Sequence, residues 1–459
     1  MTTDTHSLPP LYIGVRGIAV KILTRVERTD AYLDKLLDIE LETGDLNPPD
    51  KRLLTELVHG VLRNQSKLDW VLTGFYHGQY SKVAPNVRNA LRVALYQILF
   101  LTRIPHHAAV NEAVEFVKKY RGQRLADTMN GLLRNIARNV ENIRYPLATN
   151  DEIQYLSVVH SHPTWIVKRW HARYGFEETE SLCKANNMRP FLTLRPNPLR
   201  VDYKSFVDEL VEVGIDYRRC FYMRDYVTVR NLPNIRQSRL FTDGYFTIQD
   251  ESAGLVGMLL APMPGETVLD LCSAPGGKAI HAAENMQNQG RIIAVDKYDV
   301  RLNLIQQAAQ RNGVSIIETM EGDATELLVE PVDKVLVDAP CSGMGTLSKK
   351  PDIKWKRDGE DITKLVVTQR AILENAARLV RPGGILVYST CTIEPEENHD
   401  IIRDFLTRHP EFSIDHAGQY LPPRVVDAQG FLSTFPHKHR MDGAFGARLI
   451  KATGDLPAS

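Results

Sequence analysis

Residues 386–398, LVYSTCTIEPEEN, form an apolar run that ends on the thiol of Cys391 and then turns abruptly polar. Residues 335–345, VLVDAPCSGMG, repeat the plan: a strand-like run, the carboxylate of Asp338, and the thiol of Cys341 three positions later. An isolated free cysteine is most often a small core hydrophobe. Two thiols at the tips of two buried strands point instead to chemistry. Five cysteines, at 183, 220, 272, 341 and 391, are odd in number and contain no C-x-x-C, so neither a disulfide framework nor a zinc ribbon is indicated.

A third stretch, LDLCSAPGGKAIHAAE, sets Cys272, Ser273, Ala274, Pro275, Gly276, Gly277 and Lys278 between a strand and a helix, where small residues let a ligand approach exposed backbone N–H groups. It is not G-x-G-x-x-G and has no G-K-[ST] ending, which disfavours a dinucleotide and ATP hydrolysis. Twenty residues past Gly276, Asp296 ends the run IIAVD, where a carboxylate can accept both hydroxyls of a ribose. Asp323 and Asp338 end two further runs, and each alone reads equally well as a helix cap. Ligands of open parallel sheets, however, sit outside the carboxyl ends of the strands, and Asp270, Asp296, Asp323, Asp338, Cys341 and Cys391 all fall at that expected edge. A nucleoside ligand without phosphate chemistry suits S-adenosylmethionine, and a neighbouring thiol pair suits a methyl acceptor that needs activation, such as C5 of a pyrimidine.

C5 of cytosine is a poor nucleophile. Thiolate addition at C6 makes an enamine-like ring whose C5 can take a methyl group, so one hard step becomes two easier ones. A thiol of pKa about 8.5 is only a few per cent ionised at neutral pH, so the site must favour the thiolate. Asp338 is the candidate carboxyl to protonate or hydrogen-bond ring N3. After transfer the C5 proton must leave and the carbon–sulfur bond must break, with help from the second thiol. Spacing leaves open which thiol does which.

The elements that must position these groups follow from periodicity. From about residue 13 to 145 apolar residues recur at helical spacing, as at Leu91, Leu95, Ile98 and Leu99, and prolines in LNPPD and VAPN sit where helices can begin. Residues 1–147 are therefore expected to be all-helical, and residues 148–240, with strand-like FLTLRPNPLR and YVTVRN around the helix SFVDELVEVG, a small α+β module. Residues 241–459 alternate strand and helix, with near-continuous apolar strands such as KVLVDAP, and are expected to form a Rossmann-like doubly wound α/β domain.

The 459 residues carry 56 Lys and Arg against 56 Asp and Glu, but unevenly: residues 1–150 hold 20 against 15, and residues after 250 hold 22 against 28. The amino-terminal excess is densest at Lys118, Lys119, Arg121, Arg124, Arg134 and Arg138, a solvated helix face or an RNA contact. There is no apolar run of membrane-spanning length, and MTTDTHSLPP at the start lacks the basic and apolar parts of a signal peptide, so a cytoplasmic protein without a membrane partner is expected.

DLCSAPGGK, VDAPCSGMGTLSKKPDIKW and YSTCTIEPEEN together resemble the signature motifs of the NOL/NOP/Sun family of RNA cytosine-C5 methyltransferases. The resemblance implies that Cys391 is the nucleophile, that Cys341 is needed for product release, and that Cys272 through Lys278 with Asp296, Asp323 and Asp338 hold S-adenosylmethionine. The helical part, with LLTELVHGVLRN and HHAAVNEAVEFVKKY, is similar to the RNA-binding antitermination factor NusB, and SHPTWIVKRW looks like the family's RNA-binding subdomain. The combination implies 16S rRNA as substrate; the same chemistry on tRNA, and RNA binding without catalysis, are the alternatives. A redox role for the two cysteines would need their sulfurs to bridge. Two departures stand out: Ala279 replaces the usual hydroxyl residue after the motif lysine, and DGAFGARL replaces the usual D-G-F-F. His160 with His162, and His437 with His439, lack companions at metal-ligand spacing, so no metal is expected. Trp165, Trp170, Cys183 and Cys220 read as core, and a monomer is expected.

Overall fold

The computed structural model describes residues 11–230 and 238–454, which leaves the amino-terminal MTTDTHSLPP outside the described residues. By packing, these residues fall into two units. The first comprises residues up to Met188 together with Leu347–Arg357. Its helices begin where the prolines allow: Asn47 caps Pro48–Arg63 by accepting from the Asp50 N–H, and Pro85 opens Pro85–Phe100. Leu91, Leu95 and Ile98 lie in its core, as do Leu132, Leu133 and Ile136 of the helix Gln123–Arg138. Helices Glu152–Val159 and Thr164–Asn187, the second with the fully buried Trp170, complete the unit.

The segment Leu347–Arg357 is fastened into this helical unit by side chains with defined partners. Asp352 accepts from the Leu33 N–H at 3.0 Å, and the Trp355 indole donates to the Leu62 carbonyl at 2.7 Å. Lys354 is buried, and its ammonium donates to the carbonyls of Ser161 (2.6 Å) and Arg63 (3.1 Å) and to Asn187 Oδ1 (3.1 Å). Burial pulls this lysine down to about 7. Removing the ammonium would orphan three acceptors, each costing about 1–3 kcal/mol when buried and unpaired. Lys354→Ala is accordingly expected to destabilise the protein by roughly 3 kcal/mol or more, read as a lowered denaturant midpoint; an unchanged midpoint would show that water replaces the ammonium freely.

The second unit, Arg189–Thr346 with Asp358–Ser459, contains two sheets. The smaller is formed by β1 (Leu192–Pro196), β2 (Tyr217–Arg219), β3 (Val227–Val229) and β4 (Phe246–Ile248) in the antiparallel order β2-β3-β1-β4, with the helix Tyr203–Glu212 supplying Phe206 and Leu210 to its core. Strand β4 lies beyond residue 240, yet it pairs with β1, because Phe246 belongs to this core.

The larger sheet contains β5 (Thr267–Asp270), β6 (Arg291–Asp296), β7 (Ile317–Glu321), β8 (Val332–Asp338), β9 (Val380–Thr390), β10 (Phe412–Ile414), β11 (Leu432–Thr434) and β12 (Ala444–Lys451). Its order is β10-β12-β9-β8-β5-β6-β7, with β11 also on β12; β5 through β9 are parallel and the rest antiparallel. The sheet is therefore mixed, as the carboxyl-terminal strands return against β9. Alternate residues feed two cores: Leu336 and Val387 pack on one face, Val335, Val337, Leu386 and Tyr388 on the other. Burial on both faces explains the near-continuous apolar runs. The order reverses between β5 and β8, the switch point outside which such sheets bind ligands.

Candidate active site

At that switch point the first group is the turn after β5. The Ser273 N–H donates to the Val295 carbonyl at 2.8 Å and the Gly276 N–H to the Ser273 carbonyl at 2.7 Å, closing a tight loop. Gly276 has φ +98°, and a Cβ there would press on Ile305, so glycine is required both for the turn and for the close approach. The helix Gly277–Asn285 starts at once, leaving its first N–H groups at the sheet edge. Arg195 of β1 holds this start from behind: it is buried, donates to the Gly277 carbonyl at 3.0 Å and pairs with buried Glu284. Burial outweighs the arginine and lifts Glu284 to about 6. Ala279 is buried in this helix.

The carboxylates along the edge differ in company. Asp296, at the end of β6, accepts from the Tyr298 N–H and from Arg301, whose other nitrogen donates to the Ala274 carbonyl at 2.8 Å. Arg301 thus ties the acid to the glycine turn. Asp323, two residues past β7, accepts from Lys297 (2.8 Å) and from the N–H and hydroxyl of Thr325, and these bonds pull its pKa to about 2. Asp270 is the opposite case. It is 1% exposed, and among the described residues no hydrogen bond of full geometry reaches either carboxylate oxygen, the Ser273 hydroxyl and the Cys272 N–H being the donors beside it. Burial, then charge on Asp338, raises Asp270 to about 7. A buried carboxylate so weakly satisfied, beside the glycine turn, suits a further donor or a cation.

The thiols lie beside this cradle. Register places Asp338 of β8 opposite Ser389 of β9, so the two motif strands end level. Asp338 accepts from the Lys278 ammonium at 2.7 Å and from the Ser389 hydroxyl at 2.9 Å. Burial disfavours the charge on Lys278, but Asp338, with Cys391 and Asp270, outweighs it and holds the ammonium above its usual range. Cys341 Sγ and Cys391 Sγ are 3.2 Å apart, the Cys391 N–H points to Cys341 Sγ at 3.4 Å, and the Gly345 N–H donates to the Cys391 carbonyl at 3.0 Å. Cys391 is exposed, whereas Cys183 and Cys220 are buried. The hydrogen bond to Cys391, burial, and the negative charge of Cys391 and Glu397 all drive Cys341 well above an ordinary thiol. Cys272 is raised too, by burial and then by Asp270.

The six acidic and thiol positions expected at the sheet edge are therefore brought together there. The sulfurs are also near enough for a redox pair, but a lysine–aspartate pair, a buried carboxylate and a glycine cradle have no part in thiol–disulfide exchange. Arg195, Arg301 and Glu397 were not singled out from sequence, because Arg195, Glu397 and the Arg301–Ala274 bond join segments apart in the chain; only Glu397 carried a signal, the polar run after Cys391. Lys118, Lys119, Arg121, Arg124, Arg134 and Arg138 are all exposed, on the helices His106–Arg121 and Gln123–Arg138 of the other unit. Among the described residues no His, Cys, Asp or Glu cluster could hold a metal ion, and no helix is long and apolar enough to cross a membrane.

Comparison with known proteins matches residues 14–138 to the NusB family, 162–236 to the RsmF/B-like ferredoxin-like domain and 257–450 to the family described as 16S rRNA methyltransferase RsmB/F. The chain is 39% identical to the probable ribosomal RNA small subunit methyltransferase B of Bacillus subtilis, over 95% of this chain and 99% of that protein. Its counterpart in Synechocystis is 37% identical over 96% and 100%. Among solved structures, PH0851 superposes with a TM-score of 0.82 at 30% identity over 97% of this chain and 99% of that one. A methyltransferase homologue from Pyrococcus horikoshii gives 0.58 at 27% identity over 66% and 99%.

Proposed function

We propose, for a chain that belongs to the RsmB/F family of 16S rRNA methyltransferases, that it methylates C5 of a cytosine in 16S rRNA through a covalent Cys391–C6 adduct. The observation that carries this reading is the pair of thiols 3.2 Å apart, level with the Lys278–Asp338 pair and beside the glycine cradle. Cys391 is the exposed sulfur and adds to C6. Asp338 accepts hydrogen bonds from Lys278 and Ser389, which orient it toward the ring edge as the group facing N3. Cys341, holding its proton, hydrogen-bonds the sulfur that departs as thiolate when the C5 proton passes to a solvent base and the C6–S bond breaks. Exposed Lys118, Lys119, Arg121, Arg124, Arg134 and Arg138 supply phosphate contacts on the helical unit. Bisulfite sequencing of RNA from a deletion strain tests substrate and position together: loss of one protected cytosine in 16S rRNA is expected, and loss in tRNA instead would redirect the substrate.

The residues of the cradle fit S-adenosylmethionine, which when bound supplies the electrophilic methyl group. Asp296, at the end of β6, is the group for the ribose hydroxyls, and the buried Asp270 carboxylate suits a ligand carrying positive charge. Because Asp270 sits near 7 rather than in the carboxylate range, a cation that prefers its ionised form must displace a proton below that pH. Affinity for S-adenosylmethionine is therefore expected to rise about fifteenfold between pH 5.5 and 7 and to level off by about pH 8, with Asp270→Asn removing the slope. Calorimetric titrations that give one affinity across this range would assign the ligand's charge to another partner.

A further inference from the structure

Glu397 is fully buried, six residues past Cys391, and both of its carboxylate oxygens reach back to the other thiol's loop. Oε1 accepts from the Ser342 N–H at 2.8 Å and from Gln369 Nε2 at 3.0 Å; Oε2 accepts from the Ser342 hydroxyl. Ser342 directly follows Cys341. Its hydroxyl lies 2.9 Å from that of Thr392, which directly follows Cys391, and Gln369 Nε2 also donates to the Pro340 carbonyl at 2.9 Å. The Tyr388 hydroxyl donates to the Glu397 backbone carbonyl at 2.7 Å. One carboxylate thus gathers the residues adjoining both sulfurs.

Burying a carboxylate is costly unless its oxygens are satisfied. Burial raises Glu397, and the bonds from Ser342, Gln369 and Thr392 work against that rise. Apolar packing would close this space at less cost, so a charge retained here has a consequence for its neighbours. One neighbour is Cys341, the residue that precedes the bonded Ser342.

Resting on the two-thiol reading above, we infer that Glu397 is a positioning residue for the reaction: it clamps Ser342 and thereby sets the spacing of Cys341 Sγ and Cys391 Sγ for the release step. Glu397 hydrogen-bonds neither sulfur; it acts through Ser342, and its negative charge adds to what keeps Cys341 in the thiol form.

The test uses the full-length protein carrying Glu397→Gln, with Ser342→Ala as a second variant that leaves the carboxylate in place should the first fold poorly. For Glu397→Gln, the pH midpoint for alkylation of Cys341 by iodoacetamide, followed by mass spectrometry, is expected to fall by about one unit as the neighbouring charge is lost. In methylation assays kcat is expected to drop about tenfold or more with KM for RNA little changed, because release rather than binding is affected, and protein covalently joined to RNA is expected to accumulate. Ser342→Ala, which loosens the clamp and keeps the charge, is expected to slow turnover and accumulate adduct without moving the alkylation midpoint. An unmoved Cys341 midpoint in Glu397→Gln, or adduct no more abundant than in the wild type in both variants, overturns the inference. Because alkylation needs no RNA, a wild-type protein that makes no 5-methylcytosine would sink the methylation reading while leaving the Glu397–Cys341 coupling separately measurable.

Discussion

Cys391→Ala is expected to abolish methylation, with a fall of about 10,000-fold or more in single-turnover rate and no covalent protein–RNA species. The size of the effect follows from the acceptor's chemistry: without sulfur at C6 the ring never acquires enamine character at C5, and neither Asp338 nor Lys278 can supply it by hydrogen bonding. Cys272 cannot substitute, since burial and Asp270 hold it as a thiol. Transfer of a radiolabelled methyl group to RNA measures the rate. A residual rate within tenfold of the wild type would mean that the acceptor is not activated through this thiol.

Cys341→Ala should behave differently. Attack by Cys391 is retained, because that sulfur is exposed and its strand end is held through the Cys391 carbonyl by Gly345. Release is slowed, because the S–H that lies 3.2 Å from the departing sulfur is gone. Multiple-turnover methylation is expected to fall about 100-fold, in the range typical of losing one proton-bearing catalytic group, while a protein–RNA adduct becomes visible on denaturing gels. The same adduct appearing with Cys391→Ala would exchange the roles of the two thiols. An excess of adduct in Cys341→Ala and in Glu397→Gln alike would tie the buried carboxylate to the release step.

Much of the site was written in local chemistry. The glycine turn, the acids ending apolar runs and the two strand-tip thiols could be read directly, because a parallel strand buried on both faces leaves a long apolar signature and its carboxyl end is the next polar residue. Helix starts at Pro48 and Pro85 were legible for the same reason: proline acts within one turn of chain.

What only the tertiary structure decided are the pairings between segments far apart in sequence. Lys278 meets Asp338 across 60 residues, Arg195 meets Glu284 across 89, and Glu397 reaches Ser342 across 55. Strand β4 joins β1, and Leu347–Arg357 packs among helices whose sequence lies hundreds of residues earlier. Residue type and periodicity state what a segment can bury, and so which elements form. They do not state which partner satisfies a buried charge, since that depends on register and on packing across the sheet. Hence sequence alone pointed to two thiols and a ligand cradle at one edge, and the fold decided that the two sulfurs lie 3.2 Å apart and that Glu397 reaches the loop of Cys341.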